Sequence, residues 1–250
     1  MWLLRVVVPA AVAGVCALPG CDPGEPGVDA EPVRRTVSVA WKVTDPSGAE
    51  LACEQVDAQF VTVSFFRTRT GEGFTEVFDC TRKSGTRTLE DGEYTIGFEL
   101  ADRFGTLATR PLQRYQVAGD IALDEVAFPI DPTGGLVLAL DTAMAANCGG
   151  GSQISGMSIS LFDAAGACVM TTLAIEGAGP YATTCAAPAT AACIEKDRDV
   201  TATGLPAGEY RIRAVGLHGA MPCWEHDQRH RVRAAGHSRA LVLPLRKLCN

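Results

Sequence analysis

The four histidines of this 250-residue chain, His218, His226, His230 and His237, all lie near its C-terminal end. The segment CWEHDQRHRV, residues 223–232, sets His226 and His230 four apart. On a helix or on a strand that spacing puts two imidazoles on one face, where they could hold a metal ion. The H-E-x-x-H order of a helical zinc site is absent, and the surrounding residues lack a helical period. His226 and His230 therefore stand as weak metal candidates on a strand, beside the plainer reading of a polar strand face. Serine chemistry has less support. Ser152 and Ser155 sit in GGGSQISG, residues 149–156, which reads as a flexible glycine loop and lacks the G-x-S-x-G order of a nucleophile elbow. A phosphate loop would need a lysine that is missing there. Glu90 and Asp91 are adjacent at a turn and read as solvated, and no calcium-loop pattern occurs. No catalytic residue, metal or cofactor is expected, and the chain reads as a non-enzyme.

The elements that would have to position such groups are strands. Apolar residues alternate over short runs with Gly, Pro or Asp between them, which predicts an all-β sandwich or barrel. The body says the same thing twice. TVSVAWKV (36–43) is matched by GLVLALDT (135–142), and VTVSFF (61–66) by MSISLF (157–162). LEDGEYTIGFEL (89–100) is echoed by LPAGEYRIRAVGL (205–217), and YQVAGDIALDEVAFPI (115–130) by VRAAGHSRALVLPL (232–245). Two tandem β-sandwich domains follow, 36–130 and 134–250, with a turn-forming DPTGG between them. The second carries an inserted loop at about 163–190, the favoured contact surface because long loops on rigid scaffolds often carry function.

Charge narrows the partners. The formal net charge is −7, and nucleic-acid binding needs clustered positive charge, so none is expected. The chain begins MWLLRVVVPAAVAGVCALPGC: one positive charge, then an apolar run too short to span a bilayer, then small residues. Those are the marks of a secretory signal over 1–20. Leu18-Pro19-Gly20-Cys21 resembles the lipobox of bacterial lipoproteins, with Pro19 departing from the commoner small residue at that place. The resemblance implies a diacylglycerol on Cys21, cleavage before it, and residence in the cell envelope. The alternative is an ordinary signal cut near Ala17. Residues 21–35, rich in Pro, Gly and acid, read as a flexible tether.

The GEY segments resemble the tyrosine corner of immunoglobulin-like domains, and equally the transthyretin-like and carboxypeptidase-regulatory-like sandwiches. Gly92 and Gly208 would supply positive φ in the turn, and Tyr94 and Tyr210 a buried ring with its hydroxyl bonded back to the chain. Cysteines add connectivity. Cys16 leaves with the signal and Cys21 takes the lipid, which leaves eight, an even number suited to disulfides in an exported chain. The first domain holds only Cys53 and Cys80. By the repeat, Cys148 and Cys193 are their counterparts. Cys168 and Cys185 bracket the insertion, and Cys223 and Cys249 remain. The expectation is a binding or structural module held to a membrane by its lipid, with another envelope protein or an extracellular ligand as partner. The competing expectation is an envelope hydrolase or metal-dependent enzyme using the histidine-bearing end.

Overall fold

Alternation along the first repeat segment is realised as a strand, β1 (Arg34–Thr44), which buries Val37, Val39, Trp41 and Val43 on one face. The computed structural model describes residues 31–183, 185 and 191–249; the signal, the lipobox and Cys21 lie outside them. After β1 come β2 (Glu50–Leu51), β3 (Phe60–Arg67), β4 (Gly73–Asp79), β5 (Ser84–Glu90), β6 (Gly92–Asp102), β7 (Gly105–Val117), β8 (Ile121–Ala122) and β9 (Val126–Pro129). One sheet gathers around β1, which takes β2 and β5 antiparallel and β8 and β9 parallel. The facing sheet runs β4-β3-β6-β7. Between them lies a core that includes Trp41, Phe65, Ile96 and Phe128. The Trp41 indole N–H donates to the Cys80 carbonyl at 3.0 Å, so the polar end of this buried ring is satisfied.

The second half repeats this build. Its strands are β10 (Thr133–Asp141), β11 (Gly156–Phe162), β12 (Thr172–Ile175), β13 (Tyr181–Ala182), β14 (Ala191–Ala192), β15 (Val200–Pro206), β16 (Gly208–His218), β17 (Met221–Val232), β18 (Ser238–Pro244) and β19 (Arg246–Lys247). The sheets run β13-β12-β15-β10-β18 and β14-β11-β16-β17-β19. β10 stands where β1 stands: antiparallel to the strand before the GEY turn, parallel to the last long strand. In an immunoglobulin constant domain the first, second, fifth and fourth strands share one sheet. Here β1 and β3 fall in opposite sheets, as do β10 and β11, so the strand order differs from that of an immunoglobulin constant domain. Among the described residues the only helical pieces are the 3-10 turns Cys53–Val56 and Cys80–Arg82.

One element departs from the repeat. β4 pairs with β3 over seven residues. In the second half the longer chain between β11 and β15 sends β12 to pair with β15 in the opposite sheet, and β11 receives only a two-residue contact from β14. The insertion is thus partly woven into the sandwich.

From Arg34 onward the chain packs as one compact unit. The linker between the two cores and the start of β10 are tied by backbone to the turn after β17. Ala235 N–H donates to Asp131 O, Gly236 N–H to Thr133 O, and Gly135 N–H to His237 O. A Cβ at Gly134 would lie 1.9 Å from the Arg233 carbonyl oxygen, so only glycine fits this close approach.

Candidate functional site

The eight cysteines form Cys53–Cys80, Cys148–Cys193, Cys168–Cys185 and Cys223–Cys249, the same pairs that the repeat and the bracketing of the insertion suggest. Cys53 and Cys80 lie in the two 3-10 turns that flank the β3–β4 hairpin, so their bridge closes one end of the first sandwich. Tyr94 and Tyr210 are buried. Their hydroxyls donate to Glu90 O at 3.1 Å and to Pro206 O at 2.9 Å, four residues upstream in both cases. Gly92 and Gly208 precede them with φ of 159° and 152°. These residues are framework: they fix the entry into β6 and β16 and expose no chemistry.

The Ser152 loop differs from its expectation. Ser152 is buried and its hydroxyl donates to Gly149 O at 2.8 Å, with Asn147 O at 2.5 Å. Asn147, fully buried, donates to Leu140 O and Ile194 O, while Glu195 accepts from the backbone N–H groups of Asn147 and Cys148. A buried loop must satisfy its backbone internally, and here the polar side chains do so. The glycines allow the turns; the serine is a tie, not a nucleophile. Glu90 and Asp91 are engaged too, by Arg67 at 2.7 Å and Arg35 at 2.9 Å.

The insertion adjoins a cleft of about 540 Å³. Alternation sends Met157, Ile159 and Leu161 of β11 into the core and Ser158 and Ser160 to the outer face, yet both serines are buried there. The walls are Phe162 and Cys185 on one side, Val215 and Leu217 of β16 on the other, with Ala220 and Pro222 at the β16–β17 turn. Arg213 reaches the rim, held by Glu225 at 2.8 Å. It belongs to a diagonal ladder across β16 and β17 with Arg211–Asp227 and Glu209–Arg229. Where the ladder ends, the outer face turns apolar and the cleft begins. A concave site of this size, apolar with a few convergent polar groups, has the make-up of a small-ligand pocket.

His226 and His230 do share the inner face of β17, as their spacing predicts. His226 is 3% exposed. Its Nε2 lies 3.1 Å from Nε2 of His230, and its Nδ1 lies 3.3 Å from the Pro244 carbonyl. A carbonyl only accepts, so His226 carries its proton on Nδ1. Its Nε2 must then accept from Nε2–H of His230. The ring centroids are 5.4 Å apart, the nitrogen separation plus little more than two ring radii, so the rings meet end to end. Burial holds both imidazoles below their ordinary pKa, and the charge of Arg239 adds to this for His230. The Nε2 lone pair of His226 is spent on the partner ring, so the two rings do not both turn a nitrogen to a shared metal ion. Among the described residues no group of three or more His, Cys, Asp or Glu is placed to hold a metal.

Sequence reasoning missed the ion pairs across the joint. Arg231, next to His230, pairs with Asp57, and Arg233 pairs with Asp102 at 2.7 Å; the Asp102 side chain is fully buried. Arg231 follows His230 directly, and Arg233 lies just past the end of β17.

No family model and no curated protein matches this chain. Solved structures do resemble it. The Bacillus anthracis TIE protein is 13% identical with a TM-score of 0.40, covering 86% of this chain and 35% of its own. This chain therefore spans about a third of that protein's length. A minor pilin of Streptococcus agalactiae is 12% identical with a TM-score of 0.29, covering 86% of this chain and 97% of its own. A putative adhesin from Bacteroides ovatus is 11% identical with a TM-score of 0.31, covering 78% of each chain. The likeness is one of fold alone: the all-β class rests on the strand order of the chain itself.

Proposed function

We propose that this chain is a lipid-anchored protein of a bacterial cell envelope, in which two disulfide-bonded β-sandwich domains, 36–130 and 134–250, hold a binding site away from the membrane. Cys21 carries the lipid and the residues from 22 to 33 act as the tether; the expected tether to 35 is shortened because Arg34 and Arg35 already pair with β5 as the start of β1. Four disulfides support an oxidising compartment, because glutathione and thioredoxin keep cytosolic thiols reduced. The single observation that carries the binding reading is the cleft between β11, β16 and the Cys168–Cys185 insertion. Ser158 lies on its floor, Arg213 at its rim and apolar side chains on its walls, which suits a small extracellular ligand with an apolar face and a hydrogen-bonding edge.

Ala220 is exposed at the mouth, so Ala220→Trp fills the cleft without touching the core. Purified protein is screened by thermal shift against cell-wall glycans and short envelope peptides. The expected outcome is a ligand that raises the melting temperature of the parent chain and leaves that of Ala220→Trp unmoved. Equal shifts in both proteins, or none from any compound, would remove the cleft as the binding site.

A further inference from the structure

Among the described residues, the ion pairs across the joint and the Arg239–Phe104 contact come from one stretch of chain. Arg231 and Arg233 pair with Asp57 and Asp102 of the first sandwich, and the Arg239 guanidinium lies 5.4 Å over the Phe104 ring. This stretch begins with the end-to-end histidine pair. Asp57 is 9% and Asp102 4% exposed, so the joint is a buried ionic contact with little water to compensate its loss.

The histidine pair has a fixed capacity for protons. When neutral, His226 donates to Pro244 O and accepts from His230. One added proton can be accommodated: His226 then donates through both nitrogens, and His230 accepts at Nε2 with its own proton moved to Nδ1. A second added proton makes all four ring nitrogens donors. Two N–H groups then face each other across 3.1 Å, and the end-on bond is lost.

The surroundings decide which ring leaves. Asp227 on β17 favours the charged form of His226, and Arg239 on β18 opposes that of His230. Glu225 and Asp227 of β17 and Arg246 of β19 line a cleft of about 310 Å³ beside His226. β16 contributes Glu209, Arg211 and Arg213, each already paired across to β17. The inner face of β10 offers only Leu136, Leu138 and Leu140. His226 is buried, so His230, half-exposed and flanked by Arg239, is the ring displaced.

We propose that His226 and His230 form a proton-operated latch, whose double protonation displaces His230 and loosens the joint through the neighbouring Arg231 and Arg239. The window lies below the ordinary imidazole range, because burial holds both rings down.

The test uses the full chain, in chelator, with fluorescent labels at the exposed positions Thr86 and Glu176, one in each sandwich. On going from about pH 7.5 to about pH 5 the population with low energy transfer should rise several-fold. His230→Phe should abolish that response. Unchanged transfer in the parent chain, or the same response in His230→Phe, would overturn the proposal. Should His230→Phe fail to fold, nitrogen-15 imidazole spectra of the parent chain decide. Two separated titration steps support the latch, and two independent single-site curves overturn it.

Discussion

Removing Arg233 tests how firmly the two sandwiches are joined. Its Nε and Nη2 lie 2.7 and 3.2 Å from the two Asp102 oxygens, and Nη2 also reaches Thr106 O at 3.2 Å. Arg233→Ala leaves a fully buried carboxylate without its cation. Breaking a buried pair from one side typically costs about 3–5 kcal/mol. Two facts reduce that here. Asp102 still accepts from the N–H groups of Phe104 and Gly105, and the Arg233 side chain keeps 20% exposure. A loss of about 2–3 kcal/mol is expected. For a unit of this length that corresponds to roughly 5–10 °C in melting temperature. Asp102→Asn paired with Arg233→Ala closes a double-mutant cycle, and a coupling of about 1–2 kcal/mol is expected from residues in direct contact. Calorimetry reads both. A single variant costing under about 0.5 kcal/mol, the ordinary range for a surface substitution, would refute the claim that this pair holds the joint.

Other substitutions probe the frame. Tyr94→Phe and Tyr210→Phe each remove one hydroxyl donor to a backbone carbonyl and should each cost about 1 kcal/mol in urea unfolding. Gly134→Ala drives a methyl against the Arg233 carbonyl and should destabilise by more than about 2 kcal/mol, with Gly119→Ala, which has open space, as the mild control. Replacing Cys53 and Cys80 together releases a bridge of sequence separation 27, and the chain-entropy relation gives a loss of about 3.5 kcal/mol. Non-reducing peptide maps should return the four intact pairs, and a peptide linking Cys53 to a cysteine beyond Gly134 would contradict the structure. Stability should fall on acidification below about pH 6.5, because two histidines held below their ordinary pKa bind fewer protons folded than unfolded. His226→Leu with His230→Phe should flatten that slope.

The parts legible in the sequence are those where a local pattern has one structural solution. Alternating Val37, Val39, Trp41 and Val43 can only be a half-buried strand, and the repeated GEY segments place Tyr94 and Tyr210 alike. The cysteine pairs were readable because the repeat supplied a second copy against which to align them. The illegible parts depend on long-range choice. Alternation says which residues of β12 face inward but not which sheet receives the strand, and the insertion took β15 rather than β11. Arg231 and Arg233 carry no signal of their pairing in the sequence, because Asp57 and Asp102 lie more than a hundred residues away. The spacing of His226 and His230 gave a shared face. Whether their nitrogens would turn to a metal or to each other depends on Pro244, which a linear reading does not bring near. Ser152 misled because glycine neighbours signal a loop without telling that the loop is packed.

The measurement that bears most directly on the account is the mass of the mature N-terminal peptide from membranes of cells fed labelled palmitate. The account predicts a chain that starts at Cys21 and carries the label as a diacylglyceryl group, with no label in Cys21→Ala. A mature chain that starts elsewhere without lipid, or labelling that persists in Cys21→Ala, would contradict it.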